Sequence, residues 1–168
     1  MIAAARFKPR TALRATLWFS MLAAGSGAVG AQTPAPTAAD IPPPGVENAQ
    51  RAWQNWTLNC QGCHRPDGSG TEGTAPSLAG TVARFLSVPG GREYLGRVPG
   101  VATSPLSSRD LAEVVNWMLW RFDREHLPAK FQPYTADEIG RLRTVPLRME
   151  AAQMRADLLK NADESETP

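Results

Sequence analysis

Two cysteines and two histidines are all that the 168 residues contain, and no methionine lies between Met21 and Met118. A structural zinc site needs four ligands, usually as two close pairs. Here His126 stands far from Cys60, Cys63 and His64, so the second pair is missing. Long apolar runs are equally scarce: past residue 31 no segment is apolar enough to cross a bilayer. Basic residues are scattered and form no stripe, which excludes nucleic acid as the expected partner. No internal repeat is visible, and no acid–base pair is placed as a catalytic site would require, so no catalytic residue is expected.

What is present begins with Arg6, Lys8, Arg10 and Arg14, with no acid among them. The apolar run ATLWFSMLAAGSGAVGA follows, with Val29 and Ala31 at small-residue positions. This is the order of a secretory leader, residues 1–31, cleaved after Ala31. The apolar core Ala15–Ala24 is short for a span, so an uncleaved anchor is the lesser alternative. Paired arginines and a lipobox cysteine are absent. Cleavage leaves 137 residues from Gln32, carrying 14 Arg and Lys against 16 Asp and Glu, so the formal +2 of the whole chain becomes −2. The expected compartment is the periplasm, with no membrane span after cleavage.

Residues 32–46, QTPAPTAADIPPPGV, form a Pro/Ala-rich tether with nothing to pack. Helices are expected over Glu47–Cys60, with Ala52, Trp56 and Leu58 or Asn59 near one face, and over SRDLAEVVNWMLWRF to about Phe122, capped by Ser107 or Ser108. Short helical turns are expected in VARFLSV and REYLGRV, and VPGVATSPLSSRD reads as extended or turn-like. TADEIGRLR opens on the capping-box pair Thr135 and Glu138, and LRMEAAQMRADLLK has a loose helical pattern. The turn-forming stretch from Arg65 to Thr81 is long enough to need something to wrap around. Fourteen glycines and fifteen prolines suit a small domain whose core is completed by a bound group.

LNCQGCHRPDG, residues 58–68, supplies that group. C-x-x-C alone suits thiol exchange, which usually sits where a strand meets a helix; no strand-rich pattern surrounds this pair. C-x-x-C-H is the attachment sequence of c-type haem. Cys60 and Cys63 lie about one helical turn apart, so both sulfurs reach the two vinyl-derived carbons of one haem edge, and His64 can turn its imidazole onto the iron. Gly62 lets the backbone approach the ring.

With CQGCH on the page, the chain resembles a class I cytochrome c over roughly Glu47–Phe122. Ala52 and Trp56 match the small residue and aromatic eight and four positions before the first cysteine, and Trp117 matches the aromatic that crosses them. The glycine-rich RPDGSG and the PSLAG run from Pro76 to Gly80 match as well. The resemblance implies an all-α fold: small helices and loops around one haem c held by Cys60 and Cys63, with His64 as the proximal iron ligand and the Pro76 carbonyl accepting its N–H. Cytochrome c domain residues 47–122 would then be followed by a C-terminal helical extension, 123–168. That extension is expected either to cover the haem's open side or to dock a partner, with Phe131 and Tyr134 as anchors.

The family's distal methionine, often in a Met-Pro pair, is absent; Val98-Pro99 stands there. The alternatives are Met118 as ligand or as a packed pocket residue, His126 folding back, Met149 or Met154, and a five-coordinate or water-bound iron. Arg84, Arg92 and Arg97 flank the loop over one haem edge, and Arg92 is the expected propionate partner; Tyr94 is either core or a second such partner. The function expected is a monohaem electron carrier between redox proteins, such as a periplasmic dehydrogenase or a membrane complex and a downstream acceptor. The alternative is a five-coordinate haem module that binds or senses a small ligand.

Overall fold

The computed structural model describes residues 42–166. The leader expected at 1–31, most of the tether and the last two residues lie outside them. Helix α1 (Ala49–Asn59) starts where the Asn48 side chain accepts from the Arg51 backbone N–H at 2.9 Å. Ala52 and Trp56 face inward, whereas Leu58 is 81 % exposed, so the α1 apolar stripe is narrower than the sequence suggested. One further turn, α2 (Gln61–His64), carries the attachment motif. A glycine-rich loop leads to a 3₁₀ helix, Val82–Ser87, and to α3 (Gly91–Arg97). Gly91 is needed there because a Cβ would sit 1.8 Å from the Phe85 carbonyl oxygen.

Pro99–Ala102 forms a short helix, α4, where an extended or turn-like segment was expected. Pro99 occupies the first turn, where its fixed φ is already helical and its missing N–H is no loss. The long helix α5 (Ser108–Asp123) is capped by Ser107, whose hydroxyl accepts from the Asp110 N–H. Leu111, Val114, Val115, Met118 and Leu119 are buried, as their spacing predicts.

Three buried polar side chains on α5 do what periodicity does not disclose. Glu113 accepts the backbone N–H groups of Glu47 and Asn48 at 2.8 and 3.0 Å and takes a two-pronged contact from Arg51. Asn116 accepts from Tyr134 N–H and donates to the Tyr134 and Gly45 carbonyls. Asp123 accepts the Ala83 N–H at 2.7 Å. Each fastens a loop to the central helix and so finds partners for its own buried polar atoms.

After a 3₁₀ turn at Arg124–His126 come α6 (Ala136–Leu142) and α7 (Ala151–Glu166). Thr135 caps α6 by accepting the Glu138 N–H, but the reciprocal half of the capping box is not made: Glu138 turns to Arg92. α6 packs on α3 and α5, and α7 on α3 and the first 3₁₀ helix. Leu147, Leu158 and Ala162 of this extension are buried in the same core as Trp56 and Leu119. The fold is all-α: no strand occurs among the described residues, only an isolated bridge between Thr71 and Ala75. Among the described residues no helix is long and apolar enough to cross a membrane.

Candidate functional site

The chain from Cys60 to Leu78 closes on itself through backbone bonds. Gly70 N–H donates to the His64 carbonyl, Thr71 and Ala75 exchange N–H···O bonds at 2.8 Å, and the Thr71 hydroxyl donates to the Cys63 carbonyl. The loop thereby delivers the Pro76 carbonyl to His64, whose Nδ1–H donates to it at 3.1 Å. Gly70 makes the closure possible. Its φ is +79°, and a Cβ there would lie 2.4 Å from the Ala75 oxygen and 2.6 Å from the Pro76 carbonyl carbon. Arg65, directly after His64, holds φ at 60° and ψ at 164°, a region that only glycine adopts without strain.

With Nδ1 committed to Pro76, Nε2 keeps its lone pair. Burial pushes the His64 pKa below its ordinary value, more strongly than the Pro76 bond raises it, so the neutral, ligating imidazole is favoured. Cys60 and Cys63 are not disulfide-bonded. Burial, helped by Cys63, pushes the Cys60 thiol up to about 11. Such a thiol is a poor thiolate at neutral pH, unlike the activated cysteine of a thiol–disulfide exchanger. Among the described residues no three His, Cys, Asp or Glu side chains gather as a metal-ligand cluster.

Cys60, His64 and Pro76 line one cavity of about 790 Å³. Its walls are mostly apolar, with Phe85, Leu95, Val98, Val115 and Met118 among them. The anticipated residues divide cleanly. Met118 lines the cavity, as does Val98. His126 does not line it; its Nδ1 is engaged by buried Asp123. Met149 is 95 % exposed, and Met154 packs against the core without reaching the cavity wall. Trp117 meets Trp56 at 5.9 Å between ring centroids, so these two aromatics form the α1–α5 crossing and not the cavity lining. Trp56 in turn stands 5.9 Å from the His64 ring.

Arg92, expected at a propionate, is also outside the lining. Its guanidinium makes two bonds to Glu138, at 2.6 and 2.7 Å, and donates to the Gln132 and Pro133 carbonyls. The reason is α6, which places a carboxylate against α3. Covering by the extension is one of the two expectations for it, but its residues were not singled out: Ala151, Ala152 and Arg155 of α7 complete the cavity wall. No local signal marks them, because only the docking of Leu158 and Ala162 turns that face of α7 inward.

A cysteine pair at one helical turn, an imidazole oriented through its far nitrogen, and a large apolar cavity beside both define a c-type haem protein. Comparison with known proteins agrees. The chain is 34 % identical over 121 residues to a cytochrome c-552 of Thermus thermophilus, an alignment spanning 61 % of this chain and 82 % of that protein. A second Thermus thermophilus cytochrome c-552 is 34 % identical over 106 residues, spanning 52 % of this chain and 81 % of that one. No family model and no solved structure matches. The chain belongs to the c-type cytochrome family, and the family's role is electron transfer.

Proposed function

We propose that this chain is an exported, periplasmic monohaem cytochrome that passes single electrons between a dehydrogenase or membrane complex and a downstream acceptor. The carrying observation is the site around His64: its Nδ1 is held by Pro76, and Nε2 is left for iron at the edge of an apolar cavity. Cys60 and Cys63 would hold the ring covalently and His64 would ligate the iron. Haem supplies the one-electron Fe(II)/Fe(III) couple when bound. The chain's own part is to exclude water with Phe85, Leu95, Val115 and Met118, and to fix the imidazole tautomer through Pro76. Docking to partners is expected to be weak and transient.

Expression beside a haem-attachment system tests this. The protein should migrate with haem after denaturation, give a two-thioether pyridine haemochrome, and show a reversible one-electron wave. A chain that matures without covalent haem overturns the reading.

A second reading rests on Val98. Val98 lines the cavity, the resemblance would put a coordinating thioether at that position, and Met118 is the one methionine among the described residues that lines it. Valine cannot coordinate iron. If the sixth position is open, the dithionite-reduced protein shifts its spectrum promptly and completely with carbon monoxide, and ligand binding becomes the function to pursue. An unchanged spectrum closes that reading; loss of that resistance in Met118→Leu would assign the ligand to Met118.

A further inference from the structure

Val98, Pro99, Gly100 and Val101 form one wall of the cavity, and this span of chain is held at both ends by a single segment, residues 142–147. At the first end the Leu147 N–H donates to the Arg97 carbonyl at 2.8 Å, and the Arg97 Nε–H donates to the Val145 carbonyl at 2.8 Å. Leu142 packs there against Gly96, where a Cβ would lie 2.5 Å from a Leu142 methyl. At the second end Arg143, the C-terminal cap of α6, donates to three carbonyls in one turn of chain: Ala102 at 3.3 Å, Leu106 at 2.8 Å, and Ser104 between them. Among the described residues no carboxylate pairs with Arg143, in contrast to Arg51, Arg84, Arg92 and Arg109. Its charge is spent on the loop, and its planar fork lets one side chain reach all three oxygens.

Between these two clamps the wall is thin. Its own backbone bonds are local: Val101 and Ala102 N–H donate to the Val98 carbonyl, and Thr103 N–H to the Pro99 carbonyl. Such bonds survive if the span swings as a unit. Pro99 and Gly100 are exposed, and a Cβ on Gly100 would meet nothing within 4 Å. On the inner side Val98 offers apolar contact but no ligating atom. The position of the span is therefore set from outside, by bonds to a charged donor, which are stronger than neutral ones.

We propose that Arg143 is the positioning residue of this wall, and that its hold on the Ala102, Ser104 and Leu106 carbonyls controls the entry of small neutral ligands into the cavity. This rests on the haem reading above. Entry requires a local opening of the span, and each bond from Arg143 makes that opening rarer.

The test uses the matured full chain. Covalent haem is first quantified by pyridine haemochrome; a parent chain without it fails the underlying reading before any rate is measured. In ferric, haem-replete protein mixed with imidazole, Arg143→Gln should associate about tenfold faster than the parent, because charge-assisted bonds no longer hold the span. The Ala102 and Thr103 amide protons should exchange faster by about the same factor. Arg143→Lys, which keeps the charge without the fork, should stay within about threefold of the parent. Glu113→Ala loosens the segment ahead of α1 instead, and should associate within about twofold of the parent. A parental association rate in Arg143→Gln, an equal acceleration in Glu113→Ala, or no uptake of imidazole by either parent or variant overturns the proposal. Should Arg143→Gln fail to accumulate, Arg97→Gln decides, since it releases the other clamp at a half-exposed side chain. Association about threefold faster supports the proposal, and an unchanged rate overturns it.

Discussion

Gly70 does more for the proximal side than its lack of a side chain suggests. The bond between His64 and Pro76 spans twelve positions, and the loop between them turns back only because residue 70 adopts φ +79° with nothing on its Cα. Gly70→Ala should therefore cost about 2–3 kcal/mol, from the left-handed backbone and the collision with the Ala75 and Pro76 carbonyls. Thermal or denaturant unfolding of the matured protein reads the loss. The His64 N–H proton resonance should change as well, since the clash falls on the acceptor's own peptide. Part of this scale was legible from sequence: the family resemblance pairs His64 with the Pro76 carbonyl, and the two are hydrogen-bonded. The pairing of Arg92 with Glu138 was not, because it depends on where α6 docks, and no local pattern carries that.

At the scale of elements, α5 is the post to which the loops are tied. Glu113 takes two backbone N–H groups ahead of α1 as well as Arg51, and its side chain is only 4 % exposed. Glu113→Ala leaves those donors without an acceptor and should destabilise the protein by about 3 kcal/mol, measured by denaturant unfolding.

Tyr134 ties α3 to the segment before α6 by donating its hydroxyl to the Arg92 carbonyl at 2.8 Å. Burial raises its pKa well above the ordinary 10, outweighing the opposing charge of Arg92. The folded state thus holds the phenol proton more tightly than the unfolded chain. This contribution is fully present below pH 10 and is lost as pH climbs from there toward the folded value. Stability should fall by about 1.4 kcal/mol per pH unit in that window, and Tyr134→Phe should remove that component of the slope. The helices and caps of this layer follow from spacing and from Asn48, Ser107 and Thr135. The α4 turn does not, since Pro99 reads equally well as a breaker or as a first helical residue.

For the whole molecule, the motifs that carry the resemblance end near Phe122, yet the core does not. Leu147, Leu158 and Ala162 are buried with Phe85 and Leu95, so the extension belongs to the same hydrophobic unit. Ending the chain after Val145 should lower stability by about 4–5 kcal/mol, from two buried leucines and the surface they cover. It should also expose the cavity wall that Ala151, Ala152 and Arg155 provide. Unfolding curves of full-length and shortened matured proteins check the first effect, and binding of an apolar dye to the unmatured forms checks the second. Which residues make this cover could not be read from the weak periodicity of α7, whose inward face is selected by what it lands on.

A ribosome delivers this chain from its N-terminus, so CQGCH is available long before Arg155 has been made. The wall formed by α7 is the last part of the cavity to exist. The attachment residues thus lie within one short stretch of sequence, and the wall that closes the cavity beside them is drawn from the part of the chain furthest from it.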